Sequence, residues 1–193
     1  MRRVVASEFV TLDGVFQDPG GAEGFEHGGW SFKYSRRSED DANLAGGLLR
    51  ASDALLLGRV TYEGFAQAWP TMKDGGWYAD RMNSLPKYVV SSTLKEAEWN
   101  NSKIIKGDLR TEVGELKKQP GGDILVFGSG ELVNGLLREG LLDELRLLVS
   151  PVVLGSGRRL FTDGGPIGLR VAQATPLASG VVLLVYEFAV NHD

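Results

Sequence analysis

Three short apolar runs in the sequence each stop at residues that could grip a phosphate. Ala54-Leu55-Leu56-Leu57 runs into Gly58-Arg59-Val60-Thr61, Tyr88-Val89-Val90 into Ser91-Ser92-Thr93, and Ile124-Leu125-Val126-Phe127 into Gly128-Ser129-Gly130-Glu131. Glycine lets an anion approach the backbone, the hydroxyls donate hydrogen bonds, and Arg59 adds positive charge. Where such a run opens a helix, the unpaired N–H groups of the first turn attract anions. Tight turns at the glycines and helix caps at Thr61 and Ser129 would explain any one of these ends equally well. Three on one sheet point to a nucleotide with several phosphates. The common GxGxxG fingerprint is incomplete, because Val133 stands at its third glycine position after Gly128 and Gly130. In place of an acidic residue for a ribose hydroxyl there are Arg59 and the serine pair, which suit a 2′-phosphate. No Walker-A lysine follows a glycine loop, which argues against an ATPase.

Asp13, in Thr11-Leu12-Asp13-Gly14, is the carboxylate best placed for proton transfer, since it follows a strand that should end near the ligand. As an aspartate before glycine it also suits a turn stabilised through its own backbone. Trp30 lies in a glycine-dense stretch from Phe16 to Tyr34 and could wall a substrate, whereas Trp69 with Phe65 reads as the core face of a helix. Lys33, Arg36 and Arg37 could hold a substrate phosphate or form a solvated charge run.

These residues need a sheet to hold them. Val4 to Val10 reads as an opening strand and Ser38 as a helix cap, with Asp41 in capping-box spacing before Leu44, Ala45, Leu48 and Leu49. Near the start of that helix, Asp40 and Asp41 would favour its dipole. The three apolar runs have the pattern of strands covered on both faces. A helix from about Thr61 to Trp69 stops at Pro70. Lys103 to Lys106 forms a short strand, Arg110 to Lys118 a surface helix, and a further helix carries Leu132, Val133, Leu136 and Leu137 to near Gly140. Leu145 to Leu154, Arg170 to Thr175 and Val181 to Val190 complete the strands. Alternating βαβ units followed by a hairpin predict an α/β fold with a mainly parallel sheet and an antiparallel edge. No linker or repeat interrupts residues 1–193, so one domain is expected.

The bulk properties narrow the function. A formal charge of −4 with interspersed signs offers no broad cationic face for nucleic acid. The chain has no cysteine and two distant histidines, His27 and His192, so a disulfide, a thiolate nucleophile or a histidine-rich metal site is not expected. No signal peptide or membrane-length apolar run is present, which predicts a cytoplasmic protein with no membrane partner.

The segment Leu55-Leu56-Leu57-Gly58-Arg59-Val60-Thr61-Tyr62-Glu63 resembles the "GRxTYE" motif of the dihydrofolate reductase-like superfamily. Val89-Val90-Ser91-Ser92 and Phe127-Gly128-Ser129-Gly130-Glu131-Leu132 resemble its serine-ended strand and glycine-rich helix entry. Thr11-Leu12-Asp13-Gly14 is similar to an "SLDG" motif. With Gly140-Leu141-Leu142-Asp143-Glu144-Leu145 leading to Ser150-Pro151-Val152-Val153-Leu154-Gly155-Ser156-Gly157, it points to the riboflavin-biosynthesis reductase domain, the C-terminal half of the bifunctional deaminase-reductase. The resemblance implies a three-layer reductase fold that binds NADPH. It places Gly58, Arg59 and Thr61 at the adenosine phosphate end, Ser91 and Ser92 on the 2′-phosphate, and Gly128, Ser129, Gly130, Glu131 and Leu132 on the pyrophosphate. Thr11, Asp13 and the glycine-rich loop with Trp30 would border the nicotinamide and a small heterocyclic substrate. The deaminase half is absent from this sequence, so only the reductase step is implied. A true dihydrofolate reductase needs a buried carboxylate on the first helix, which Asp40 and Asp41 do not clearly supply. Loss of the substrate site, leaving a cofactor-binding or interaction module, is the remaining alternative. The apolar C-terminal strands and the resemblance both favour a homodimer.

Overall fold

The computed structural model describes residues 1–36, 38–72, 74–161 and 164–188. Arg37, His192 and the last two residues of the expected Val181–Val190 strand lie outside them. In chain order the elements are β1 (Val4–Thr11), α1 (Trp30–Lys33), α2 (Glu39–Ala51), β2 (Ser52–Gly58), α3 (Arg59–Ala68), a 3-10 turn (Trp69–Thr71) and α4 (Gly76–Ser84). There follow β3 (Lys87–Val90), β4 (Ser102–Ile105), α5 (Leu109–Lys118), β5 (Asp123–Phe127), α6 (Gly130–Arg138), β6 (Glu144–Ser150), β7 (Leu169–Pro176) and β8 (Val182–Phe188).

The eight strands form one sheet in the order β4-β3-β2-β5-β1-β6-β8-β7. From β4 to β6 every pairing is parallel; β8 runs antiparallel to both β6 and β7. Parallel pairing has a direct consequence for the site. The carboxyl ends of β3, β2, β5, β1 and β6 all reach the same edge of the sheet, side by side.

Side chains alternate across β1 and divide the core in two. Val4, Ala6 and Val10 pack with Val113 and Leu116 of α5 and with Leu132, Val133 and Leu136 of α6. Val5 faces the other way, with Leu49 of α2, Tyr62 of α3 and Met82 of α4. The result is three layers, two helices on one face and three on the other, which is why β2 and β5 read as unbroken apolar runs. By the same alternation Glu8 falls on the α5/α6 face, buried, with Oε1 unpaired. Burial pushes its carboxyl up to about 8, so it is held as the neutral acid.

Helix α2 begins as its sequence dictates. The Ser38 hydroxyl accepts from the Asp41 amide, and the Asp41 carboxylate accepts from the Ser38 amide. At the far side of the sheet, the ammonium of Lys87 is fully buried and donates to the carbonyls of Asn83, Leu85 and Asn100 beneath the Trp99 ring. Strand β6 ends at Ser150, earlier than Leu154, because Pro151 cannot donate to the ladder. No helix among the described residues is long and apolar enough to cross a membrane.

Candidate functional site

The tips of β2 and β5 are neighbours, and Ser129 joins them. Its Oγ accepts a hydrogen bond from the Gly58 amide at 2.8 Å and donates one to Thr61 Oγ1 at 2.8 Å. To reach both, Ser129 adopts a left-handed backbone (φ 68°, ψ 60°), which is uncommon for a residue with a side chain. A methyl group at Gly58 would stand 2.8 Å from the Ser129 hydroxyl oxygen, so only glycine fits there. Gly128 also has a positive φ (59°), and a methyl group on it would meet Thr61 Oγ1 at 3.1 Å.

This bridge removes Thr61 and Ser129 from helix capping. Neither α3 nor α6 has a side-chain cap on its first-turn N–H groups. The two helices lie on opposite faces of the sheet but start from neighbouring strand tips with no side-chain cap, an arrangement that favours an anion at the shared edge. Leu132 is buried, so it can contribute only its backbone. The exposed Glu131 lies in the first turn of α6, where its charge complements the helix dipole.

At the next tip, Ser91 Oγ accepts from the amides of Thr93 (3.2 Å) and Leu94 (2.9 Å). It is 8% exposed and shapes the turn, leaving the exposed Ser92 as the hydroxyl that can face a ligand. Arg59 opens α3, half-exposed, with its guanidinium on Glu63 Oε2 at 2.9 Å. The β3, β2 and β5 tips thus lie side by side with Ser92, Arg59, Gly58, Thr61 and the 128–132 turn. The first-turn amides without side-chain caps and this donor set fit a phosphorylated ligand, while the glycines are filled by Ser129, Thr61 and Phe16.

On the other side of β5, the Thr11-Leu12-Asp13-Gly14 turn follows β1. Thr11 Oγ1 donates to Asp13 Oδ1 at 2.6 Å, while the amides of Leu154 (3.2 Å) and Gly155 (2.9 Å) donate to the same carboxylate. The Thr11 hydroxyl first, then those amides, hold Asp13 below the usual carboxylate range. These contacts give Asp13 a structural role beside the catalytic one expected for it. A carboxylate stabilised in its ionised form is a poor proton donor, and this one staples the β1 turn to the segment after β6. Thr11, 1% exposed, is engaged in that staple and also accepts from the Val15 amide.

The role expected for Trp30 is corrected. It is fully buried and its Nε1 donates to the Gln17 carbonyl at 2.7 Å, so it anchors the glycine-rich loop from within and walls no open face. The exposed aromatic surface lies elsewhere. Phe9 is 43% exposed on the α2 face of the central strand. Phe127, at the β5 tip on that face, has its ring 6.4 Å from Phe65, which in turn is 6.1 Å from Trp69. The pairing of Phe65 with Trp69 along one helix face is as the sequence implies. Asp41 is largely committed to structure, for the Ser38 amide and hydroxyl donate to one carboxylate oxygen and the Ser179 hydroxyl to the other.

Phe16 had no sequence signal. Its ring covers Gly130 so closely that a methyl group there would lie 2.5 Å from it, and Arg158 sits over the ring. The loop after β1 is thereby docked on the start of α6.

The model of the RibD C-terminal domain matches residues 2–183. A protein of uncharacterised function from Bacillus subtilis (strain 168), YyaP, is 32% identical over 191 residues, covering 97% of this chain and 95% of its own length. Among solved structures, a Shewanella sp. PV-4 protein whose name places it in riboflavin biosynthesis superposes with a TM-score of 0.75 at 21% identity, over 96% of this chain and 98% of its own. Dihydrofolate reductase from Enterococcus faecalis, solved with NADP(H), superposes with a TM-score of 0.62 at 13% identity, over 97% and 96% of the two chains. The fold is thus dihydrofolate reductase-like, and this chain belongs to the RibD C-terminal domain family, a family of reductases.

Proposed function

We propose that this protein is an NADPH-dependent reductase of the riboflavin-biosynthesis type, delivering hydride to a small heterocyclic substrate. The observation that carries the reading is the Ser129 bridge, which locks the β2 and β5 tips together and leaves the first-turn amides of α3 and α6 free. Gly58, Gly128 and Gly130 let the Ser129, Thr61 and Phe16 side chains pack the two tips together, and the first-turn amides of α6 beyond them, at Glu131 and Leu132, hold the pyrophosphate. Arg59, with Ser92 across the neighbouring tip, receives the 2′-phosphate. The bound nicotinamide supplies the hydride.

The chain's own residues fix where that happens. The Asp13 staple closes the β1 and β6 tips beside the cofactor, and Phe9, Phe127 and Phe65 offer ring surfaces to a flat substrate. With Asp13 held ionised and Asp41 tied to Ser38 and Ser179, the proton for the reduced product comes from water. That same engagement of Asp41 weighs against dihydrofolate as substrate. The test is an NADPH-oxidation panel containing the riboflavin-pathway aminouracil, dihydrofolate and simple quinones. Turnover of a non-pterin heterocycle with NADPH supports the reading. Turnover of dihydrofolate alone, or none with any member despite tight NADPH binding, contradicts it.

A further inference from the structure

Resting on that cofactor reading, we infer that Glu63 is a tethered anion that weakens the protein's preference for NADPH over NADH. The first turn of α3 contains no acidic residue, although a helix start favours negative charge. Glu63, one turn further on, supplies it indirectly. Its carboxylate reaches back to the Arg59 guanidinium at 2.9 Å, with both side chains nearly half exposed. Arg59 is the first residue of the helix, next to Gly58 at the β2 tip and beside the β3 tip that carries Ser92. Glu63 therefore occupies one of the guanidinium donors that a 2′-phosphate would use, and sets a like charge near that phosphate. NADH ends in a hydroxyl at the same place. It brings no doubly charged group to repel and needs no donor taken from Glu63.

The discrimination is electrostatic, so it can be sized. A carboxylate sharing one exposed guanidinium with a doubly charged phosphate opposes its binding by roughly threefold to tenfold, less as salt rises. The exposed pair contributes little to folding, so its removal leaves the protein intact.

The experiment is a fluorescence titration of wild type and Glu63→Gln with NADPH and with NADH, at low and high ionic strength. The expected result is a three- to tenfold tightening for NADPH, a change of less than twofold for NADH, and a gain that shrinks as salt rises. Titration with 2′,5′-ADP against AMP should reproduce the difference without the nicotinamide. Equal changes for both cofactors, or weaker NADPH binding in the variant, would overturn the inference and show that Glu63 merely orients Arg59. Wild type that binds neither cofactor would refute the cofactor reading itself, and the inference with it.

Discussion

Glu8 offers a quantitative test of how the central strand is built. It lies between Ala6 and Val10 on the α5/α6 face of β1, 2% exposed, with Oε1 unpaired. Burial raises its carboxyl from 4.5 to about 8. In the unfolded chain the proton is lost as pH passes 4.5; in the folded protein it stays on until about pH 8. The folded state binds the extra proton throughout that window, so stability falls as pH rises from 4.5 to about 8, and levels off above it. Each pH unit costs about 1.4 kcal/mol, so the whole window is worth at most about 5 kcal/mol. That is a large share of the stability of an ordinary domain. Glu8→Gln keeps the shape and removes the ionisation. Urea denaturation of both proteins from pH 5 to pH 9 should show the variant gaining on wild type across the window. The gain should then be constant above about pH 8. A difference between the two proteins that does not change with pH would refute the argument.

The remaining expectations concern the tips and the sheet edge. Ser129→Ala strands the Gly58 amide and should cost about 1–2 kcal/mol, seen as a fall in Tm of several degrees, with weaker NADPH binding. Asp13→Asn should destabilise the fold at neutral pH while leaving the pH profile of kcat without a missing acid limb. Because the Asp13 carboxyl is held below its ordinary value, its contribution is present above pH 3.8 and lost as pH falls through the folded value, so the two proteins should converge in acid. Strand β7 is the sheet edge, exposed along nearly its whole length with Leu169 and Val171 outward, and we propose that it pairs two copies. Light scattering should give twice the 20.9 kDa chain mass, and Val171→Asp should halve it.

The elements that carried local signals were legible. The capping box of Ser38 and Asp41, the buried strands and the mainly parallel sheet with its antiparallel C-terminal strands follow from local pattern, whereas the strand order does not. Helix α4 was not, for it starts at a glycine with φ 50°, has no side-chain cap and buries only Ala79 and Met82. The phosphate-binding tips could be read individually, but their bridge could not. Ser129 and Thr61 are 68 residues apart and meet through a left-handed serine that sequence alone does not favour. The structural staple at Asp13 is hidden from sequence for a similar reason, since two of its partners lie more than 140 residues away. Trp30 was drawn to the site by its loop, whereas the Gln17 carbonyl turns it inward. Glu8 carries a signal of its own, as the one charged residue in a strand covered on both faces.

Calorimetric titration of the protein with NADPH tests the convergence of the strand tips most directly, with Gly58→Ala as the paired variant. The account predicts saturable one-to-one binding, competed by 2′,5′-ADP and weakened at least tenfold when a methyl group displaces the Ser129 hydroxyl. Absence of binding by the wild-type protein, or unchanged affinity in the variant, would contradict it.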